Sequence, residues 1–200
     1  MFATTLVHVS LTLLPLLQLP QPPRECQLEV LAPHVLEDRA VAEFDAKVHA
    51  YATLHRRLAR ALPMTEMRDE EGWFVQDDLR AALIAARPYA REGGFFTPRV
   101  AEVFSNRIER ALLHARVGTA ERVHAPLPGE PGPTVNQPLS AAPGSVQWPE
   151  LVRALPVLPA ELDYMFWATD LVLVDVAANL VVDVLPNALP AGAPSHVMYR

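Results

Sequence analysis

Cysteine is all but missing, with Cys26 the one thiol in 200 residues. A lone cysteine excludes an intrachain disulfide and any cysteine-built zinc site, leaving a free thiol or an intermolecular bridge. Lysine is as scarce, Lys47 standing against sixteen arginines. With abundant alanine and proline, that imbalance reads as the GC-rich coding bias of a bacterial source and not as an arginine-built binding surface. No apolar run reaches the roughly 18 residues of a membrane-spanning helix. Gly93-Gly94 lacks both the lysine and the spacing of a phosphate loop. Ser140 and Ser145 sit among prolines, away from any nucleophile elbow. The seven histidines (His8, His34, His49, His55, His114, His124 and His196) include no pair spaced i, i+4 as metal ligands on one helix face. They read as solvated helix-face residues, with His49 able to reach Asp45 and His114 beside Arg110.

The net charge of −6 argues against a nucleic-acid partner, because phosphate binding needs a basic field. Charge is also uneven. Residues 37–122 are balanced, while 123–200 carry two bases against seven acids. Arg56, Arg57 and Arg60 could hold an anion or a lipid phosphate, but in balanced surroundings such a cluster is more often the solvated back of a helix. Half of the residues are hydrophobic, enough to bury a core.

The N-terminal run LVHVSLTLLPLLQL (6–19) has the length of a signal-peptide core. Its flanks depart from that pattern, since no base precedes it and Arg24 follows it. Residues 1–24 are therefore expected to be a leader-like segment that directs export. If retained, the run would give membrane contact.

Residues 25–122 are expected to be helical. Val41, Phe44, Val48, Tyr51, Leu58 and Leu62 form one apolar stripe over 38–62, capped by Asp38 and supported by the Glu43/Lys47 pair. A second helix is expected over 74–92, with Val75, Leu79, Leu83 and Ala86 inward and Pro88 shortening it. Thr97-Pro98 opens a third, a hydroxyl cap followed by proline at the first helical position. Its stripe is Val100, Phe104, Ile108, Leu112 and Ala115, with Gly118 as a stop. Residues 123–148 read as a Pro/Gly-rich linker or draped loop, with Trp148 as an anchor at its end.

The most strand-like stretch is LDYMFWATDLVLVDVAANLVVDVL (162–185). β-Branched and aromatic side chains favour a pleated, half-buried surface, and two turn-like interruptions divide the stretch into strands near 162–168, 171–176 and 180–185. Alternation puts Tyr164, Phe166, Leu171, Leu173, Val181 and Leu185 on one face, with Met165, Trp167, Val172, Val174, Val182 and Val184 on the other. Both faces are apolar, so the sheet needs cover, and the upstream helices are the cover available. The fold class expected is α+β: a three-helix region packed on a C-terminal three-stranded antiparallel β-meander.

Asp175 and Asp183 are the candidate site. With a three-residue loop centred on Asn179 they face each other on adjacent strands, where like charges need a shared proton, a cation or water. A divalent-cation or acid–base role follows from that pairing, against the plainer reading of exposed edge positions that deter aggregation.

The meander YMFWATDLVLVDVAANLVVDVL resembles the C-terminal strand module of small periplasmic proteins, the nickel/cobalt-homeostasis regulator family among them. The order of leader, helical region with FFTPRVAEVF (95–104), proline-rich segment and meander is similar to uncharacterised exported bacterial proteins. That resemblance implies a periplasmic or secreted location and a fold, and no activity. The leading functional expectation is a non-catalytic exported protein that binds a protein partner or an envelope component, with no cofactor. The alternatives are a hydrolase or metal-dependent enzyme drawing on Asp175, Asp183 and His114, and a membrane-attached accessory protein held by residues 6–19.

Overall fold

Two apolar faces on one short sheet dictate the layering. In the computed structural model, which describes residues 33–62, 73–115, 132–139, 145–146 and 148–189, the described elements all fall within one compact unit, 32–200. Among the described residues four helices and four strands run in the order α1 (Pro33–Ala61), α2 (Trp73–Ala86), α3 (Pro98–Ala115), β1 (Ser145–Val146), α4 (Pro149–Val152), β2 (Leu162–Trp167), β3 (Asp170–Asp175) and β4 (Leu180–Leu185). The fold is α+β, and its antiparallel sheet has the order β1-β2-β3-β4. The expected three-stranded meander is β2-β3-β4, to which the two-residue β1 adds itself along β2, pairing with Phe166 and Trp167.

Helix α1 starts at Pro33, five residues before the expected Asp38 cap, with proline at the first position where its missing N–H costs nothing. Asp38 is an exposed position inside the helix. Ala40, Phe44, Val48, Tyr51, Ala52 and His55 are the buried stripe, so Ala40 and not Val41 is innermost at its start. Helix α2 stops at Ala86, since the ring of Pro88 crowds Arg87 out of helical geometry; Ala86 is exposed. Thr97 opens α3 with its carbonyl, which accepts from the Ala101 amide at 2.8 Å. Its hydroxyl does not cap α3 but donates across to Glu43 Oε1 of α1 at 3.2 Å.

The helix-facing core is built around Phe44. Its ring lies 4.8 Å from that of Phe104, 5.8 Å from Phe96 and 6.3 Å from Tyr164, joining α1, α3, the connection before α3 and the sheet. Leu162, Tyr164, Phe166, Leu171, Leu173, Leu180, Val182 and Leu185 supply the sheet side of this core. Trp148 is buried on it, 6.1 Å from Phe166, as the anchoring role expects. The opposite face gathers Trp167, Val172, Val174, Val181 and Val184 around Leu139 and Val135 of the proline-rich segment. That segment also runs along the β4 edge: the Asn136 amide donates to the Val181 carbonyl and the Val181 amide to the Gln137 carbonyl, each at 2.9 Å. Pairing a strand edge in this way hides groups that would otherwise recruit another chain.

Val181 and Val182 are interchanged relative to the expected faces. A β-bulge shifts the β3–β4 register between Leu173 and Val174, so Val174 pairs with Val181 while Leu173 pairs with Asp183. The extra residue, Val182, keeps an inward direction, and Asp183 follows it inward. Residues 1–32, 63–72, 116–131, 140–144, 147 and 190–200 lie outside the described residues, and with them the 6–19 run, Cys26, Gly118, His8, His124, His196 and Ser140. No described helix is long and apolar enough to cross a membrane.

One local strain is open to test. Ala168 sits at φ 51° in the two-residue turn between β2 and β3, a left-handed conformation that costs a residue with a Cβ about 1–2 kcal/mol. Its half-buried methyl returns less than about 0.8 kcal/mol. Ala168→Gly is therefore expected to raise the urea midpoint by the equivalent of about 0.5–1 kcal/mol at unchanged m value, measured by equilibrium denaturation.

Candidate functional site

Apart from the tyrosines Tyr51 and Tyr164, the buried titratable residues among the described positions are His55, Asp175 and Asp183. Asp175 ends β3. The register sets Asp175 opposite Leu180 and Asp183 opposite Leu173, because the β3–β4 turn holds four residues and the bulge follows it. The two carboxylates thus share the helix-facing side of the sheet without facing each other. The expected two-carboxylate cation site is replaced by two separate sets of hydrogen bonds.

Asp175 ties α1 to the sheet. Its Oδ2 accepts the Tyr51 hydroxyl at 2.8 Å and the His55 Nδ1–H at 2.6 Å, while Oδ1 accepts the Ala178 amide at 2.9 Å and shapes the turn. That turn closes with Asn179 at φ 46°, the left-handed conformation expected of it. Burial, followed by the Asp175 charge, pushes the Tyr51 phenol far above its ordinary range, so it remains a donor. Tyr51 and His55 stand four apart on one helix face, and His55 therefore belongs to the buried stripe and not to the solvated surface. By contrast His49 is exposed and hydrogen bonds to the Asp45 carbonyl at 2.8 Å.

Asp183 organises the connection into α3. Oδ2 accepts the amides of Phe95 (2.7 Å) and Phe96 (2.8 Å), and Oδ1 those of Gly93 and Val184 (both 2.9 Å). Gly93 adopts φ 77°, which a residue with a Cβ resists, and this bends its N–H toward the carboxylate. Successive backbone N–H groups of this kind make a concave anion nest, here filled by the protein's own side chain.

Arg87 completes the arrangement. Its guanidinium donates to the Val182 carbonyl at 3.1 Å and lies 5.0 Å over the Tyr51 ring and 5.6 Å over Phe95. Burial draws its pKa below the ordinary value, and the Tyr51 hydroxyl, Asp183 and Asp175 draw it back. Arg87 is thus a buried cation near both carboxylates without an ion pair to either among the described residues, and its buried NH1 has no acceptor of its own. Among the described residues no three His, Cys, Asp or Glu side chains gather as metal ligands. His114 is exposed on the last turn of α3, so the structure does not bring it to Asp175 or Asp183. Arg56 of the basic cluster pairs with Glu161 at 2.8 Å, while Arg57 and Arg60 face solvent.

Above this network lies an open cleft of about 550 Å³ between α1 and the chain that follows α2. Lys47, Ala50, Tyr51 and Leu54 line it from α1; Ala86, Arg87, Pro88, Tyr89, Ala90, Arg91 and Phe95 line it from the end of α2 and the chain that follows. Three bases and no acid line it, in a chain whose net charge is −6. Lys47 Nζ donates to Glu43 at 2.8 Å and to the Gly94 carbonyl at 3.0 Å, which closes the cleft at one end. Tyr89 stands 93% exposed on its rim. His55 does not line this cleft. His55 is buried and not the solvated helix-face residue expected of it, and nothing in the sequence expectations singled out Arg87. The signals for them were the four-residue step from Tyr51 and the position just before a helix-ending proline.

Asp183→Asn keeps the shape but sets an amide NH₂ against backbone N–H donors. Hydrogen bonds to a charged group are worth about 1.5–3 kcal/mol each, so a loss of about 2–4 kcal/mol is expected by urea unfolding. Hydrogen exchange at the Phe95 and Phe96 amides should accelerate before global unfolding. Asp38→Asn, at an exposed position of α1, is the control expected to change stability by less than about 1 kcal/mol.

No protein-family model, no curated protein and no solved structure matches the chain.

Proposed function

We propose that this chain is an exported binding protein without chemistry of its own, and that the cleft between α1 and residues 86–95 takes an anionic ligand or envelope component. The observation that carries the proposal is the lining: Lys47, Arg87 and Arg91 with no carboxylate, in an acidic protein. A cleft of about 550 Å³ falls within the size range of small-molecule sites, which are mainly apolar with a few convergent polar groups. Two groups with displaced pKa values, Tyr51 and Arg87, also border it. The polar side chains beneath are spent on holding helices to the sheet, which favours binding over catalysis. Export rests on the length and position of the 6–19 run.

Thermal unfolding of the full chain against a panel of small organic anions tests the binding. A ligand at 100 times its Kd adds about 2.7 kcal/mol, which for a domain of this size is a rise of about 5–11 °C in Tm. At least one anion is expected to give such a shift, and Lys47→Glu/Arg91→Glu to abolish it. Failure of every anion on the panel overturns the proposal. Mass spectrometry of the mature N-terminus tests export separately, an intact Met1 or an N-terminus other than one near residue 24 counting against it.

A further inference from the structure

We infer that the ligand is a monocarboxylate on an apolar body, its carboxylate held at the Arg91 end of the cleft and its body laid against Leu54, Pro88, Tyr89 and Phe95. This inference rests on the proposed binding role of the cleft and gives it a ligand class. Charge count decides the head group. Lys47 is neutralised by Glu43 at 2.8 Å, and Arg87 is committed to the Val182 carbonyl beside Asp175 and Asp183. Arg91 is exposed and has no ion pair among the described residues. One uncompensated positive charge therefore faces the cleft, and one negative charge balances it.

A phosphate dianion needs more. Phosphate sites draw on several backbone N–H groups as well as on charged side chains. The nest that would provide them, the amides of Gly93, Phe95 and Phe96, is already filled by the carboxylate of Asp183. A planar carboxylate asks only for the bidentate fork of one arginine. The walls account for the body. Ala50, Leu54, Ala86, Pro88 and Ala90 offer no polar side-chain atom, and the ring of Tyr89 is held out in water with 93% of its surface bare. Leaving such a ring uncovered forgoes burial that a ligand's hydrocarbon would restore. A head group without a body gains nothing from these walls, and a body without a head group leaves Arg91 unused.

Isothermal titration calorimetry of the full chain with octanoate, 1-octanol, octyl phosphate and acetate reads both halves. Octanoate is expected to bind saturably at one site, 1-octanol at least about tenfold more weakly, octyl phosphate no more tightly than octanoate, and acetate not measurably. Arg91→Glu, at an exposed position that does not support the fold, is expected to weaken octanoate by about tenfold or more and to leave 1-octanol unchanged. Arg91→Lys, which keeps the charge and loses the fork, is expected to weaken octanoate by less than Arg91→Glu does. Tyr89→Ser, equally exposed, is expected to weaken octanoate and 1-octanol alike. Equal affinities for octanoate and 1-octanol, tighter binding of octyl phosphate, or indifference to Arg91→Glu would each overturn the carboxylate assignment while leaving a ligand-binding cleft in place. So would silence from all four probes beside a thermal shift from some other anion. Silence from these probes and from the whole anion panel would take the binding role down as well.

Discussion

Apolar packing holds the helices to the sheet but does not decide where along it they sit; that is set by the bonds of Asp175 and Asp183. A greasy face presses on any greasy partner with little directional preference. Here α1, α2 and the entry to α3 each have a polar tether to β3, to β4 or to the turn between them. Helix α1 is tied by Tyr51 and His55 to Asp175, and the entry to α3 by the amides of Phe95 and Phe96 to Asp183. Helix α2 is tied by Arg80 to the Ala178 carbonyl at 2.8 Å, and by Arg87, just past its end, to Val182. Buried charges contribute little net stability once their desolvation is counted, so register is the gain to look for. Removing one partner is another matter, because the survivor is left buried with its donors or charge unmet.

The bulge is what makes these tethers possible. In regular alternation Asp183 would share a face with Val181 and lie opposite Val182, on the side packed against Leu139 and Val135. One extra residue opposite Leu173 turns Val182 and Asp183 both toward the helices. Asp175 already faces that way from β3, so both carboxylates come to one side without having to share a proton. The tethers then fall at two points along the strands, one beside the 176–179 turn and one past the bulge.

Much of this was legible in the chain, and what was not has identifiable causes. Val100, Phe104 and Ile108 at four-residue steps, and the alternation of Tyr164 and Phe166 with Leu171 and Leu173, report layers directly because periodicity tracks burial. The bulge leaves no such mark: Val181 and Val182 are the same residue, and no glycine flags the extra position. His55 was hidden by its type, since a titratable side chain on a helix is ordinarily solvent-facing, and only a carboxylate from a strand 120 residues away draws it inward. The cleft could not be read from residue types at all. It exists because Pro88 ends α2 early and the chain must run back beside α1 before Thr97-Pro98 starts another helix.

That origin bears on what the cleft can do. Tyr51 is at once its wall and the donor to Asp175, and Phe95 is at once its wall and, through its amide, a donor to Asp183. Both rings also flank the Arg87 guanidinium. Each is therefore fixed before any ligand arrives, and a ligand does not have to supply the ordering of these side chains, which elsewhere costs about 0.5–1.5 kcal/mol apiece. The same bonds remove the inner polar groups from play. Asp175 and Asp183 have their oxygens filled from the protein side, so the chemistry left to the cleft is a rigid aromatic wall and a rim charge. Such a surface selects by shape and by the sign of one charge. Of its titratable lining, the Tyr51 phenol is bound to Asp175, the Lys47 ammonium to Glu43 and the Arg87 guanidinium to the Val182 carbonyl, which leaves the exposed Tyr89 phenol and the Arg91 guanidinium on the rim.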